Sequence, residues 1–165
     1  MGVKDNFTVE EWRTLIKSPM LVSYAIAGAA PSDEDGYIQE MKAVADAISE
    51  SEERAAEGSL ISEVVTNIIA NAEDNERGQT EKISVSDVKE RAMANCREVA
   101  NLLQAKTSAE EADDYKRWLL GVAQRVASAA KEGGIFGFGG SQVSKTEVAT
   151  INEIASALGV TRIEN

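Results

Sequence analysis

The chain has no histidine and a single cysteine, Cys96, in 165 residues. The first absence removes Ser-His-Asp and Cys-His nucleophilic machinery, histidine-containing zinc sites and the Glu-x-x-His di-iron signature. The second removes an intrachain disulfide and any four-thiolate metal centre. Aromatic residues make up only 5% of the chain, and the alternating pattern of strands is scarce. Apolar runs are short too. The longest nearly uncharged stretch, residues 18–32, is rich in Ala and Gly and falls short of the roughly 20 apolar residues that cross a bilayer. The first residues lack the apolar centre of a secretory signal, and Asn6 stands where a myristoylation motif beginning at Gly2 wants Ser or Thr. These absences predict a cytoplasmic protein without membrane insertion.

Positive charge is also in short supply: 17 Lys+Arg face 28 Asp+Glu, for a net charge of −11. Nucleic-acid binding draws its affinity from clustered Lys and Arg, so no nucleic-acid partner is expected. The acids are concentrated. Residues 33–81 hold fourteen acids and three bases (Lys42, Arg54 and Arg77), while the rest of the chain is electrically balanced. Such a segment reads either as a solvated face or as a docking surface for a basic partner or a cation.

What the sequence does contain is helical punctuation. Thr8 with Glu11 forms a capping box, with Phe7 and Trp12 as its hydrophobic staple, opening a short helix over 9–17. Ser18-Pro19 reads as a fresh N-cap with proline in the first helical position, starting a second helix over 19–30. A third, from about Asp33, carries Ile38, Met41, Val44, Ala45 and Ile48 on one face and gives way to a polar, acidic loop or frayed end over 49–58. Ser59 caps a helix with the stripe Leu60, Ile61, Val64, Val65, Ile68, Ile69 and Ala72. A strand over 82–85 is too short to form a sheet alone. A helix over 87–106 turns Val88, Ala92, Cys96, Val99 and Leu103 inward, so Cys96 reads as a small core residue. Thr107 with Glu110 is a second capping box, opening a long helix to about Lys131 with Tyr115, Trp118, Leu119, Val122, Val126 and Ala130 inward. Ser144 with Glu147 is a third, Val143 with Val148 its staple, and Gly159 the C-terminal stop. The prediction is a single all-α domain over 1–165, a bundle of six or seven helices.

An internal echo accompanies this pattern. Shifting the chain by one hundred residues lays 20–30 over 120–130, and a shift of one hundred and ten lays Ile38, Met41, Val44 and Ile48 over Val148, Ile151, Ile154 and Leu158. This reads either as two pseudo-symmetric helical hairpins around a shared core, over 19–49 and 109–160 with a central acidic section over 50–106, or as alanine-rich coincidence. Gly140-Ser141-Gln142-Val143-Ser144-Lys145-Thr146-Glu147, followed by Val148, Ile151, Ile154, Ala155, Leu158, Gly159 and Val160, resembles the TerB-like superfamily. Its hairpins read Asp-Gly-x-Ile-Ser-x-x-Glu before an amphipathic helix ending in Leu-Gly. Asp35-Gly36-Tyr37-Ile38 supplies the first four positions in the first hairpin. The chain departs from the pattern at Gly139-Gly140, where the second aspartate belongs, and at Lys42, where the first glutamate belongs. The resemblance implies an all-α fold, association with stress responses such as tellurite resistance, and metal binding.

Two candidate sites follow. Asp33, Asp35 and Glu40 cluster at a helix start, where oxygen ligands suit Ca²⁺ or Mg²⁺, with Glu147 or Glu153 as further ligands if the hairpins bring them close. The same acids also suit the helix dipole with nothing bound. An EF-hand loop is excluded, because Pro31 and Lys42 occupy the two positions that need carboxylates. The glycine-rich run 133–140 holds five of the twelve glycines. It lacks the Gly-Lys-Ser/Thr of a phosphate loop, and its Ile135, Phe136 and Phe138 read as packing residues or as a partner-binding loop. Trp12 and Trp118 read as core. The function expected is a non-enzymatic interaction module with cation linkage, its partner a basic protein or a second copy of the chain. The alternative is a small-molecule-binding protein or carboxylate-dependent enzyme, with its pocket between the hairpins. An acid-lined central cavity favours the alternative, and a filled apolar centre favours the module.

Overall fold

Local chemistry sets most of the helix ends in the computed structural model, which describes residues 2–29, 34–72, 85–132 and 144–160. A 3₁₀ turn over Val3–Asn6 precedes α1 (Val9–Ala29), α2 (Glu34–Arg54), α3 (Leu60–Ala70), α4 (Val85–Lys106), α5 (Ala109–Glu132) and α6 (Lys145–Leu158). No strand occurs among the described residues, so the protein is all-α. At the start of α1 the Thr8 amide donates to Glu11 Oε2 at 2.7 Å and the Glu11 amide returns to Thr8 Oγ1 at 3.2 Å. The Phe7 and Trp12 rings lie 6.0 Å apart as the staple. Ser59 accepts from the Ser62 amide at α3. At α6, Ser144 and Glu147 cap each other, and Gly159 takes φ +71°. That left-handed turn lets the Val160 amide reach back to the Ala155 carbonyl at 2.9 Å.

Several expectations are corrected. The break at Ser18-Pro19 does not occur, and α1 runs through it as one helix of 21 residues with Pro19 inside and buried. Proline has no N–H for the carbonyl four residues back, which here belongs to Leu15. That carbonyl accepts instead from the Tyr115 hydroxyl of α5 at 2.9 Å. The Ser18 hydroxyl lies 2.6 Å from the same oxygen and 3.0 Å from the phenol. Burial pushes the Tyr115 phenol well above its ordinary pKa, so it stays a donor. The long helix starts at Ser108, whose hydroxyl accepts from the Glu111 amide at 3.2 Å, and not at Thr107, whose hydroxyl turns back to the Leu103 carbonyl at 2.7 Å. Helix α2 extends past 49 to Arg54. Residues 82–84 of the proposed strand lie outside the described residues, and Val85 already belongs to α4.

The inward face of α2 also differs. Ile38 is 54% exposed and Ala45 is exposed, while Gly36, Glu40, Val44, Ala47 and Ile48 are buried. At about 100° per residue, Ile38 stands about 120° round the helix from Val44, and Glu40 lies four residues before Val44 on its own face. On α3 the apolar stripe is buried only in its first half, with Leu60, Val64 and Val65 inside and Ile69 exposed.

Helices α1 and α5 form the central pair. On one side α4 and α6 cover them, with α1–α4 the most extensive packing in the molecule; on the other side lie α2 and α3. The two helices of the first hairpin, α1 and α2, touch little, and α2 rests mainly on α5. A single continuous apolar core draws on all six described helices. Glutamates from neighbouring elements close two exposed helix starts: Glu63 accepts from the Val3 and Lys4 amides at 3.0 and 2.9 Å, and Glu111 from the Leu60 amide at 3.1 Å. Lys106 at the end of α4 joins Glu11 at 2.6 Å.

Cys96 lies in this core with no exposure, and burial pushes its thiol pKa up to about 12. The thiolate is the reactive form, so native protein at pH 8 should resist a disulfide-exchange reagent until it unfolds. The check is the labelling rate with and without urea. Rapid stoichiometric labelling without denaturant would contradict the placement.

Candidate functional site

The centre of the bundle is filled. Leu15, Ile26, Tyr115, Leu119 and Val126 lie there without exposure, with the Tyr115–Ser18–Leu15 cluster described above among them. Two depressions lie on the outside, where α2 crosses α5. One, of about 470 Å³, is lined by Gln39, Lys42, Asp46, Gln124, Ser128 and neighbouring residues. The other, of about 460 Å³, has an apolar floor of Ala47, Ala55, Ile61, Trp118 and Val122. Gly121 and Arg125 line both, so the two form one open groove.

Three features of the helices build it. Small residues on α2 (Ala43 and Ala47) and just after it (Ala55) keep that wall low. Gly121 leaves the middle of α5 bare, and a Cβ placed there meets nothing within 4 Å. Trp118 supplies the floor. It is half-buried rather than the full core residue its spacing indicates, and its indole N–H donates to Ser51 Oγ at 2.8 Å across to α2. Ser51 in turn donates to the Ala47 carbonyl at 2.6 Å. The Trp118 ring is thereby held, tilted against Tyr115 with centroids 5.2 Å apart.

A two-pronged ion pair crosses the middle. Arg125 reaches Glu50 with Nη1 to Oε2 at 2.8 Å and Nη2 to Oε1 at 3.1 Å, and Arg54 stands 3.9 Å from the same carboxylate. The Arg125 hydrogen bond holds the Glu50 carboxyl below the usual carboxylate range. The pair therefore persists at neutral pH and is lost as pH falls below the ordinary value of about 4.3 for glutamate. Charges inside the groove are thus largely matched. The lining carries Lys42, Arg54 and Arg125 against Asp46 and Glu50, and further acids stand outside it. Glu52, Glu53 and Glu57, on the last turn of α2 and the connection after it, are exposed, as is Asp114 one turn before Trp118. None of the four has an ion-pair partner among the described residues. Glu52 and Glu53 stand at a helix C-terminus, the end whose dipole disfavours negative charge, so their positions bring α2 no stability.

Of the candidate cation ligands, Asp33 lies outside the described residues. Asp35 is exposed on the first turn of α2, and Glu40 is buried on the inward face of that helix. Glu147 is engaged in the α6 cap, and Glu153 pairs with Lys89 at 3.0 Å. Among the described residues no three Asp, Glu or Cys side chains converge to hold a metal ion. The proposed loop residues Ile135, Phe136 and Phe138 lie outside the described residues. No helix among those described is long and apolar enough to cross a membrane. Trp118 beside Gly121 was the one signal in the sequence that pointed to the groove: a large aromatic followed within a turn by a residue with no side chain to cover it. No protein-family profile matches this chain, and comparison with curated proteins and with solved structures returned no match.

Proposed function

We propose that this protein is a non-enzymatic interaction module that docks a positively charged protein partner on the groove between α2 and α5. The observation that carries the reading is the pairing of a filled apolar centre with an open outer groove that has an apolar floor. A catalytic or small-molecule site draws its strength from enclosure and a few converging polar groups. Here the interior is occupied by side chains, and the free space lies outside. Long-range attraction from a chain of net charge −11 speeds encounter with a basic partner, and apolar burial over Trp118 then holds it. The TerB-like resemblance of the two hairpin segments agrees with a stress-associated adaptor, and cation linkage at Asp33 and Asp35 belongs to that part of the proposal.

Gly121→Gln tests the reading. The position is helical and open, so the substitution should fold normally and gain up to about 1 kcal/mol of helix stability, while its side chain crosses the groove floor. In capture from native extract, the partners held by the wild type should be lost from this variant and should elute from the wild type at raised salt. Undiminished capture by a natively folded Gly121→Gln variant overturns the groove as the docking face.

A further inference from the structure

We infer that residues 2–7 form a strap that opens as a unit while the six described helices stay folded. The Glu63 carboxylate of α3 is its latch, and one face of Trp12 is the surface it covers. The fit at the latch is close. The first N–H groups of a helical turn have no partner inside it, and Glu63 takes those of Val3 and Lys4 on its two oxygens, at 3.0 and 2.9 Å. Gly2 makes this approach possible. A Cβ added there would stand 2.7 Å from Glu63 Oε1 and 3.1 Å from Oε2, whereas at Gly58, Gly121 and Gly159 it meets nothing within 4 Å. The turn is also closed on itself: the Gly2 amide donates to Asp5 Oδ2 at 3.2 Å, and the Asp5 amide to the Gly2 carbonyl at 3.1 Å. It therefore moves as one piece.

Outside the latch the strap is held at two points. Phe7 is buried, with the Lys106 ammonium 5.8 Å from its ring centre, and Lys106 Nζ donates to the Asn6 carbonyl at 3.2 Å. Releasing these contacts leaves the neighbouring helix ends closed. Thr8 and Glu11 still cap α1, Lys106 keeps Glu11, and Ser59 with Glu111 still closes the start of α3. Opening thus gives up one large apolar side chain and a few hydrogen bonds near the surface, far less than the shared core. It also returns a bond. Trp12 is only 4% exposed, and its indole N–H has no acceptor among the described residues. Phe7 and Lys4 lie against this ring at 6.0 and 5.7 Å. Lifting the strap brings water to it, and a buried donor that gains a partner offsets part of the cost. Segments with few buried contacts open below the global free energy of unfolding. The area exposed is small, so urea changes the strap's population little and the main transition stays single.

Amide hydrogen exchange of the native protein tests this, with the amide of the fully buried Leu119 on α5 as the reference for global opening. In the wild type the Val3, Lys4 and Phe7 amides should be protected, yet exchange at least about tenfold faster than Leu119. The Trp12 indole N–H should exchange with them. Glu63→Gln offers one acceptor oxygen in place of two, and Gly2→Ala pushes the carboxylate away. Each should lower protection at Val3, Lys4, Phe7 and the Trp12 indole by about tenfold, the worth of one such hydrogen bond. Leu119 and the far-ultraviolet ellipticity should stay unchanged. Strap amides as protected as Leu119 in the wild type overturn the proposal, because the segment then opens only with the whole chain. No protection at Val3 and Lys4 overturns the latch. An unchanged Trp12 indole beside faster strap amides removes Trp12 as the covered surface and overturns the proposal too. A fall at Leu119 by the same factor as at Val3 means that the substitutions act on the whole fold, and overturns the separate strap.

Discussion

Tyr115→Phe should destabilise the protein by about 1–3 kcal/mol, the cost of leaving a buried polar group short of its partner. Most of that loss should vanish when Pro19 is alanine. The reasoning runs through one carbonyl. Pro19 sits in the middle of α1, where a missing amide and a ring clash ordinarily cost about 3 kcal/mol and kink or end the helix. The carbonyl deprived of its donor, that of Leu15, is buried, and it accepts instead from the Tyr115 phenol of α5 at 2.9 Å and from the Ser18 hydroxyl at 2.6 Å. In a Pro19→Ala background the restored amide can serve the carbonyl, so removal of the phenol leaves less unsatisfied. A double-mutant cycle by urea denaturation should show a coupling of about 1 kcal/mol between positions 19 and 115, within the range for residues sharing one network. Pro19→Ala alone is not diagnostic, because it also removes a buried ring. An equal cost for Tyr115→Phe in both backgrounds would mean that the phenol does not compensate for the proline.

That cluster also explains which parts of the fold were legible in the sequence. Caps made by residues three apart, such as Thr8 with Glu11, Ser59 with Ser62 and Ser144 with Glu147, are local, and their geometry follows from spacing. The continuity of α1 is not local. The Leu15 carbonyl freed by its proline is met by the neighbouring Ser18 hydroxyl and by Tyr115 of α5, far along the chain, and no window around Ser18-Pro19 contains the second partner. Thr107 and Ser108 are adjacent capping candidates with Glu110 and Glu111 at matching distances. The choice goes to Ser108, because the Thr107 hydroxyl is committed to the Leu103 carbonyl, and the Glu111 side chain turns from the cap to close the start of α3 at Leu60. On α2, counting apolar residues selects Ile38, whereas the buried face is set by the angle to Val44 and Ile48 and so takes in Glu40. The groove was the least legible feature. It is made of what α2 and α5 lack, with small residues at Ala43, Ala47 and Gly121, and an absence on one helix becomes a site only when a second helix is laid beside it.

Ile154→Ala should lower stability by about 2–5 kcal/mol, as for other fully buried large-to-small changes, and the loss should be global. Ile154 is completely buried on α6, which packs on α4, α1 and α5. A peripheral helix could instead come away by itself, and the energetics decide between these outcomes. With 14 residues, α6 is about as short as isolated helices that are marginal in water. Its docking buries Ile151, Ile154 and Leu158, and that burial cannot be lost without opening the faces of α1 and α4 to water. Those faces are part of the one core that also holds Trp12 on α1 and backs Trp118 on α5. In urea titrations the far-ultraviolet ellipticity and the tryptophan emission should therefore move together, in wild type and in Ile154→Ala alike, with the variant's common midpoint shifted down and its slope unchanged. An ellipticity step preceding any change in emission would show α6 leaving first, and the six helices would then not form one cooperative unit.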